Sequence, residues 1–160
     1  MEFFRKKSRK PKVLCVTSEA YPFAKVGGLG EVMFALPRAL NKLGYDACVM
    51  IPHYASIDKT KWRTKYIHKA LQVPTTPDRT GKMLECNVLE WTSTNELRSP
   101  VTTYFLENEE YYEKRANVYG YADDTARWVL LSKGVLEFIK RSDWKPDIIV
   151  ASDWQTGFIP

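Results

Sequence analysis

The chain has 160 residues, 44% hydrophobic and 27% charged, which suits one domain with a real core and excludes a disordered chain. No apolar stretch approaches the length of a membrane span, and the basic start (Arg5, Lys6, Lys7, Arg9, Lys10, Lys12) lacks the apolar core of a secretory signal. The net charge of +5 sits largely in that start, so residues 1–11 read as a solvated, disordered basic tail and not as a nucleic-acid surface.

Residues 13–17 read as a fully buried strand. Leu29, Val32, Met33, Leu36, Leu40 and Leu43 recur at helical spacing and form one apolar face. Gly44 is a stop signal for that helix, and Pro37 inside the pattern should kink it unless the helix starts late. Residues 47–51 are a second buried run, closed by Pro52. Together these make a β-α-β unit with a right-handed crossover between parallel strands. Residues 82–91 and 101–106 read as strands, with turn-rich stretches at 74–81 and 93–100, so hairpins are expected at an edge of the sheet.

Residues 108–121 read as a loop with a short helix. Residues 124–141 are a helix with Trp128, Leu131, Val135 and Phe138 on one face. Pro146 resets the chain, 147–151 form another buried strand, and 152–157 begin the next turn and helix. A domain does not normally close on a helix start, so residues 12–160 are expected to be an incomplete domain. The class is α/β, with a mostly parallel sheet flanked by helices and a β-hairpin region added in the middle.

Cys15, Cys48 and Cys86 are widely separated, without the spacing of a Cys/His zinc site. An odd count without a signal fits a reducing cytoplasm. His53 and His68 are isolated and receive no role. Tyr21 and Tyr54, near strand ends, suit either packing or sugar contacts.

The most informative stretch is Lys25-Val-Gly27-Gly28-Leu-Gly30-Glu31. It follows a buried strand and opens an amphipathic helix. Glycines let a backbone approach a ligand closely, and a helix N-terminus offers free N–H donors and positive potential. The pattern is GGxG and not GxGxxG, with Met33 at the place of a third Rossmann glycine. No Gly-Lys-Ser/Thr follows, so it is not a Walker loop. A glycine cluster alone is more often a tight turn than a ligand site. Its place at the carboxyl end of the first strand of an α/β sheet favours the site.

Other candidates have two readings each. Asp123 and Asp124 begin a helix and suit N-capping. Ser152 and Gln155 match a Ser-x-x-Gln capping box. Asp153, Trp154 and Gln155 lie at a strand's carboxyl end, where Trp154 is either a sugar-stacking surface or part of the core.

Three segments together resemble the glycogen and starch synthases, the glycosyltransferases of family 5. The first runs Ser18-Glu19-x-x-Pro22-Phe23-x-Lys25-x-Gly27-Gly28-Leu29-Gly30-Glu31-Val32, then Ala35-Leu36-Pro37. The second is Tyr119-Gly120-Tyr121-x-Asp123-Asp124-x-x-Arg127-Trp128, similar to the family's Asp-Asn-x-x-Arg-Phe. The third is Pro146-Asp147-Ile148-Ile149 with Asp153-Trp154-Gln155-Thr156-Gly157. All three lie in the family's order and span nearly the whole chain.

The resemblance implies the N-terminal half of a GT-B fold, two Rossmann-like domains facing each other across a cleft. The C-terminal domain would be absent. The implied reaction transfers glucose, with retention, from ADP-glucose or UDP-glucose to the end of an α-1,4-glucan. No cofactor or metal is implied, and the partners are glucan and nucleotide sugar, with neither nucleic acid nor membrane. The implied substrate-binding residues are Lys25, Gly27, Gly28, Gly30, Glu31, Asp153, Trp154 and Gln155, and the catalytic positions are Asp124 and Ser152. Lysine and backbone N–H groups aimed at the leaving diphosphate would stabilise its developing charge.

Two departures stand out. Glu31 replaces the motif's usual Asp. Val150 and Ser152 replace the two histidines of His-x-His-Asp-Trp, and a hydroxyl cannot act as an imidazole. Two alternatives stay open: a glucan-binding module or truncated remnant without the chemistry, and an unrelated Rossmann-like nucleotide-binding domain.

Overall fold

The computed structural model describes residues 9–76, 78–92 and 100–160. Residues 1–8 of the expected tail, residue 77 and residues 93–99 of the second turn lie outside the described residues. Residues 9–11 are held against the domain: Arg9 reaches Asp147 at 2.6 Å, and the Asp46 N–H donates to the Pro11 carbonyl at 2.9 Å.

In chain order the elements are β1 (Lys12–Val16), α1 (Gly28–Lys42), β2 (Asp46–Pro52), α2 (Lys59–Trp62), β3 (Lys65–Pro74), β4 (Met83–Thr92) and β5 (Thr102–Glu107). A π-helical turn (Glu109–Glu113), α3 (Asp124–Arg141), β6 (Ile148–Ala151) and a 3-10 turn (Trp154–Thr156) follow. The strands form one mixed sheet in the order β3-β4-β5-β2-β1-β6.

The expected β-α-β unit is present, with β1 parallel to β2 and Val13 opposite Ala47. β1 also runs parallel to β6, and β2 to β5. The carboxyl ends of these four strands therefore share one end of the sheet, where ligands of open α/β sheets bind. The crossovers β1→β2 and β5→β6 run in opposite directions along the sheet. Right-handed connections then put α1 and α3 on opposite faces. The core lies against β1 and β2, where Leu14, Cys15, Val16, Met50 and Ile51 are fully buried. All three cysteines are free and buried.

Local signals explain the boundaries. α1 ends in a Schellman motif: Gly44 takes φ +93°, its N–H bonds the Asn41 carbonyl, and the Tyr45 N–H bonds Leu40. α1 continues through Pro37 without interruption, and Pro37 is buried. The ring removes one donor, which would have met the Met33 carbonyl. At Gly134, α3 comes so close to β5 that a β-carbon would lie 2.5 Å from Leu106 Cδ2.

Three expectations need correction. The expected pairing of 82–91 with 101–106 forms, as antiparallel β4 and β5, but β5 lies inside the sheet between β4 and β2 and not at its edge. β3 forms a second hairpin with β4 at the edge, and it is a strand that the residue pattern did not reveal. Its alternation is broken by register shifts between Tyr66 and Leu71, and Ala70 takes φ +54°. Finally, β6 is not buried. It pairs only with β1 among the described residues, and Ile148 is 48% exposed.

The β3–β4 hairpin is tied to α3 through Glu137, whose side chain is 5% exposed. Its carboxylate accepts from Arg79 at 2.9 Å, Lys140 at 2.9 Å and Arg141 at 2.5 Å. Burial opposes its charge, but these three cations pull the carboxyl from 4.5 down to about 2. The folded value lies below the unfolded one. The stabilisation is therefore complete above the unfolded value and is lost as pH falls through the folded one. Glu137→Gln is expected to lower Tm by about 3–10 °C at pH 7 and by much less near pH 2. Equal melting of the two proteins at pH 7 would remove Glu137 from the tie.

Candidate functional site

The end of β1 runs into three buried polar residues, Thr17, Ser18 and Glu19. Glu19 Oε2 accepts from the N–H groups of Val26 at 2.6 Å and Gly27 at 2.9 Å. Its Oε1 accepts from the Tyr119 hydroxyl at 2.6 Å. Tyr119 has one proton to give, so Ser18 Oγ, 2.8 Å away, donates to the Tyr119 oxygen. Burial works against the Glu19 charge. The Tyr119 hydroxyl and the N–H groups of Gly27, Val26 and Gly30 outweigh it and hold the carboxyl below its ordinary value.

The glycine turn is thus clamped from inside by a carboxylate of the chain itself. α1 starts at Gly28, with Gly27 as an N-cap lacking a side-chain bond. The first-turn N–H groups of Gly28 and Leu29 have no intrahelical acceptor by position. A β-carbon at Gly27 or Gly28 would meet nothing within 4 Å, whereas at Gly30 it would press on Lys25 Cγ at 3.1 Å. Gly30 therefore lets the Lys25 stem lie along α1. The Lys25 ammonium is hydrogen-bonded to Glu31, and this bond raises its pKa.

The segment carrying Asp123 and Asp124 packs beside this turn through Tyr119. Fully buried Arg127 organises it, donating to the carbonyls of Tyr111 and Val118 at 2.8 Å each and to Asp124 Oδ1 at 2.6 Å. Asp124 Oδ2 accepts from the Gly120 N–H at 2.8 Å. Asp123 holds the N-cap position without a side-chain cap bond, and its carboxylate pairs with Arg115 at 2.7 Å.

The turn after β6 leaves the sheet beside the end of β1, and the Ser152 N–H donates to the Val16 carbonyl at 3.0 Å. The capping box expected of Ser152 and Gln155 does not form: the N-cap is Asp153, whose Oδ1 accepts from the Trp154 N–H at 2.6 Å. Asp153 takes φ +65°, which turns the chain before Ser152 could cap it. The Ser152 hydroxyl points inward to Met33 Sδ at 3.6 Å. Gln155 is buried, and its Oε1 has no hydrogen-bond partner. Trp154 is not core: it is 58% exposed, with its ring edge-on to Trp128 at 6.3 Å.

Glu19, Tyr119, Trp128 and Met33 thus link the three segments at one end of the sheet. Motif spacing marked the glycines, Lys25 and the Asp-Trp turn. It missed the clamp, although a charged residue directly after a buried strand, as Glu19 is, was a usable signal. Tyr54, whose hydroxyl donates to the Ser18 carbonyl at 2.7 Å, proves to be packing. Among the described residues, one set of potential metal ligands occurs, His53, Glu107 and Glu113, at the ends of β2 and β5.

Glu19→Gln is expected to cost about 1.5–3 kcal/mol at pH 7 in urea unfolding. Glu19 has a lowered folded pKa, so the gap should close as pH falls through that value. A variant as stable as the parent at pH 7 would contradict the clamp.

Among known proteins, the family described as the starch synthase catalytic domain matches residues 12–160. Glycogen synthase of Clostridium botulinum is 41% identical over 149 residues, and that of Clostridium acetobutylicum 42% over 151 residues. Each alignment covers 93% of this chain and 29% of the relative, so the chain spans less than a third of their length. The catalytic domain of starch synthase IV from Arabidopsis thaliana, solved bound to ADP and acarbose, superposes with a TM-score of 0.80 at 26% identity. That match covers 94% of this chain and 29% of the other, and gives the sheet as that of a GT-B N-terminal domain. The chain belongs to the glycosyltransferase family of the starch synthase catalytic domain.

Proposed function

We propose that this chain supplies one wall of the cleft of a glycogen- or starch-synthase-type glucosyltransferase. The reaction is retaining transfer of glucose from ADP-glucose or UDP-glucose to the non-reducing end of an α-1,4-glucan. The observation that carries this reading is the turn at Gly27 and Gly28. Neither residue has a positive φ, and neither is crowded by the chain itself. Packing and conformation do not require glycine there; a close-approaching ligand does. ADP in the related starch synthase IV structure fits such a ligand.

Lys25 and the N–H groups of Gly28 and Leu29 then face the leaving diphosphate, with Glu31 as the partner Lys25 gives up. Trp154 offers an exposed ring to the sugar, with Asp153 and Gln155 beside it. Asp124, with its carboxylate on Arg127 and Gly120, holds the Tyr119 segment in place. In this reading the reaction uses no cofactor, the second GT-B domain is the partner that completes the site, and the compartment is the cytoplasm.

Ser152 favours a second reading, glucan binding without transfer. Its hydroxyl is spent on Met33, inside the fold.

The 160 residues alone, incubated with ADP-glucose and glycogen, are expected to show no sustained glucosyl transfer. Sustained turnover would overturn the one-wall description. Joined to the C-terminal domain of a clostridial relative, the chain should transfer glucose, and glucan capture without transfer would decide for the second reading. In an active fusion, Lys25→Ala should lower kcat/KM about 10- to 150-fold and leave Tm unchanged. Unchanged kinetics would take Lys25 out of the site.

A further inference from the structure

Three polar side chains that the glycine turn does not use meet at the carboxyl ends of β2 and β5. His53 follows β2, Glu107 ends β5 and Glu113 ends the π-helical turn. One ligand-type atom from each lies within 4.8 Å of the others. Lys59, at the start of α2, reaches the same point, hydrogen-bonded to Glu107 and 3.0 Å from Glu113 Oε1. The Asn87 amide donates to Glu107 Oε2 at 2.6 Å, and Glu107 Oε1 accepts from Lys59 and from the Tyr66 hydroxyl, 3.2 Å away. The group borders a hollow of about 350 Å³ lined by His53, Tyr54, Asp58, Lys59 and Glu113, among others.

Packing alone does not explain this arrangement. His53 is 2% exposed, yet neither ring nitrogen has a hydrogen-bond partner. Buried polar atoms are normally bonded. π-Helical turns are rare and concentrate at functional sites. This one ends on Glu113 and brings its Oε1 within 3.6 Å of His53 Nδ1. Between the two carboxylates stands a cation, the Lys59 ammonium.

We propose that His53, Glu107 and Glu113 form a divalent-cation site, and that the Lys59 ammonium holds the cation position until the metal displaces it. One imidazole nitrogen with two carboxylates suits a first-row ion such as Mn²⁺, Fe²⁺ or Zn²⁺. Metal–ligand distances of about 2.0–2.2 Å require the three atoms to draw in by roughly an ångström. Glu113, with a quarter of its side chain exposed, has room to do so. The bound ion ties β2, β5 and the π-helical turn together, just upstream of the Tyr119 segment. It is a structural site, separate from the glycine turn, and stands whether or not the chain takes part in glucosyl transfer.

The test is titration of the EDTA-treated 160-residue chain with Mn²⁺, followed by EPR and by electron spin-echo modulation. A single bound ion is expected, with the nitrogen modulation of a directly ligated imidazole. Glu113→Gln should weaken binding about 10- to 100-fold. Lys59→Met should tighten it about tenfold, because it removes the competing charge. His53→Gln should abolish the nitrogen modulation. The proposal is overturned if the chain binds no Mn²⁺ at millimolar concentration, if the modulation survives His53→Gln, or if Lys59→Met binds no more tightly. Should His53→Gln fail to fold, unchanged affinity in Glu113→Gln overturns it alone.

Discussion

Glu19 lies just beyond β1 with its carboxylate out of water and the groups of two separate segments aimed at it. One oxygen takes the N–H groups of Val26 and Gly27, the other the hydroxyl of Tyr119. A buried carboxylate without such partners would cost several kcal/mol or take up a proton. With them it becomes a rivet that runs from the sheet to the glycine turn on one side and to the 111–124 segment on the other. The turn is thereby fixed relative to β1, and a loop that would otherwise sample many shapes presents its remaining N–H groups in one direction. Charge-assisted bonds of this kind are about twice as strong as neutral ones, which suits a joint with so few contacts.

Arg127 plays the matching part on the far side. It is fully buried, holds two carbonyls and the Asp124 carboxylate, and its carbonyl receives the Tyr112 hydroxyl at 2.7 Å. Irregular backbone buried this deeply needs donors for its carbonyls, and one guanidinium supplies several from a fixed fork. Next to it on α3, Trp128 touches both Tyr119 and Trp154 edge-on. A single helical turn therefore aligns the Tyr119 segment with the turn after β6. The parallel arrangement of β5, β2, β1 and β6 makes this possible, because it delivers all the connecting turns to the same end of the sheet.

What was legible in the residues follows from how local the physics is. The β1-α1-β2 unit and α3 carry periodic apolar faces and local stop signals, so their bounds could be read within a residue or two. β3 carries Lys65, His68 and Lys69 on an edge and breaks its alternation at bulges, so no period of 2 survives to be seen. β6 has the composition of a buried strand, yet among the described residues it pairs with β1 alone. In the site, glycine spacing marks a turn because backbone geometry is local. Glu19, Tyr119 and Arg127 act through partners up to 100 residues away, and the His53 cluster draws on three separate segments. Ser152 shows the limit of motif transfer: the position is legible, but its inward hydroxyl depends on Met33 across the fold.

The two carboxylates near the glycine turn differ in a way that bears on the proposed function. Glu19 is buried and multiply bonded, and displacing it would leave a charge in the interior without partners. Glu31 is exposed, with 63% of its side chain in water, and its ion pair with Lys25 has little hold. Water screens exposed pairs of this type, so they contribute little. A diphosphate arriving over Gly27 and Gly28 brings more charge than one carboxylate, so it can take Lys25 from Glu31 at small cost while Glu19 stays in place. Until then Glu31 is the hydrogen-bond partner of Lys25. Its role is then to keep the ammonium folded back along Gly30 until a stronger anion arrives. Lys59 between Glu107 and Glu113 is the same device with the signs reversed, a side chain of the chain itself standing where a more highly charged ion would bind.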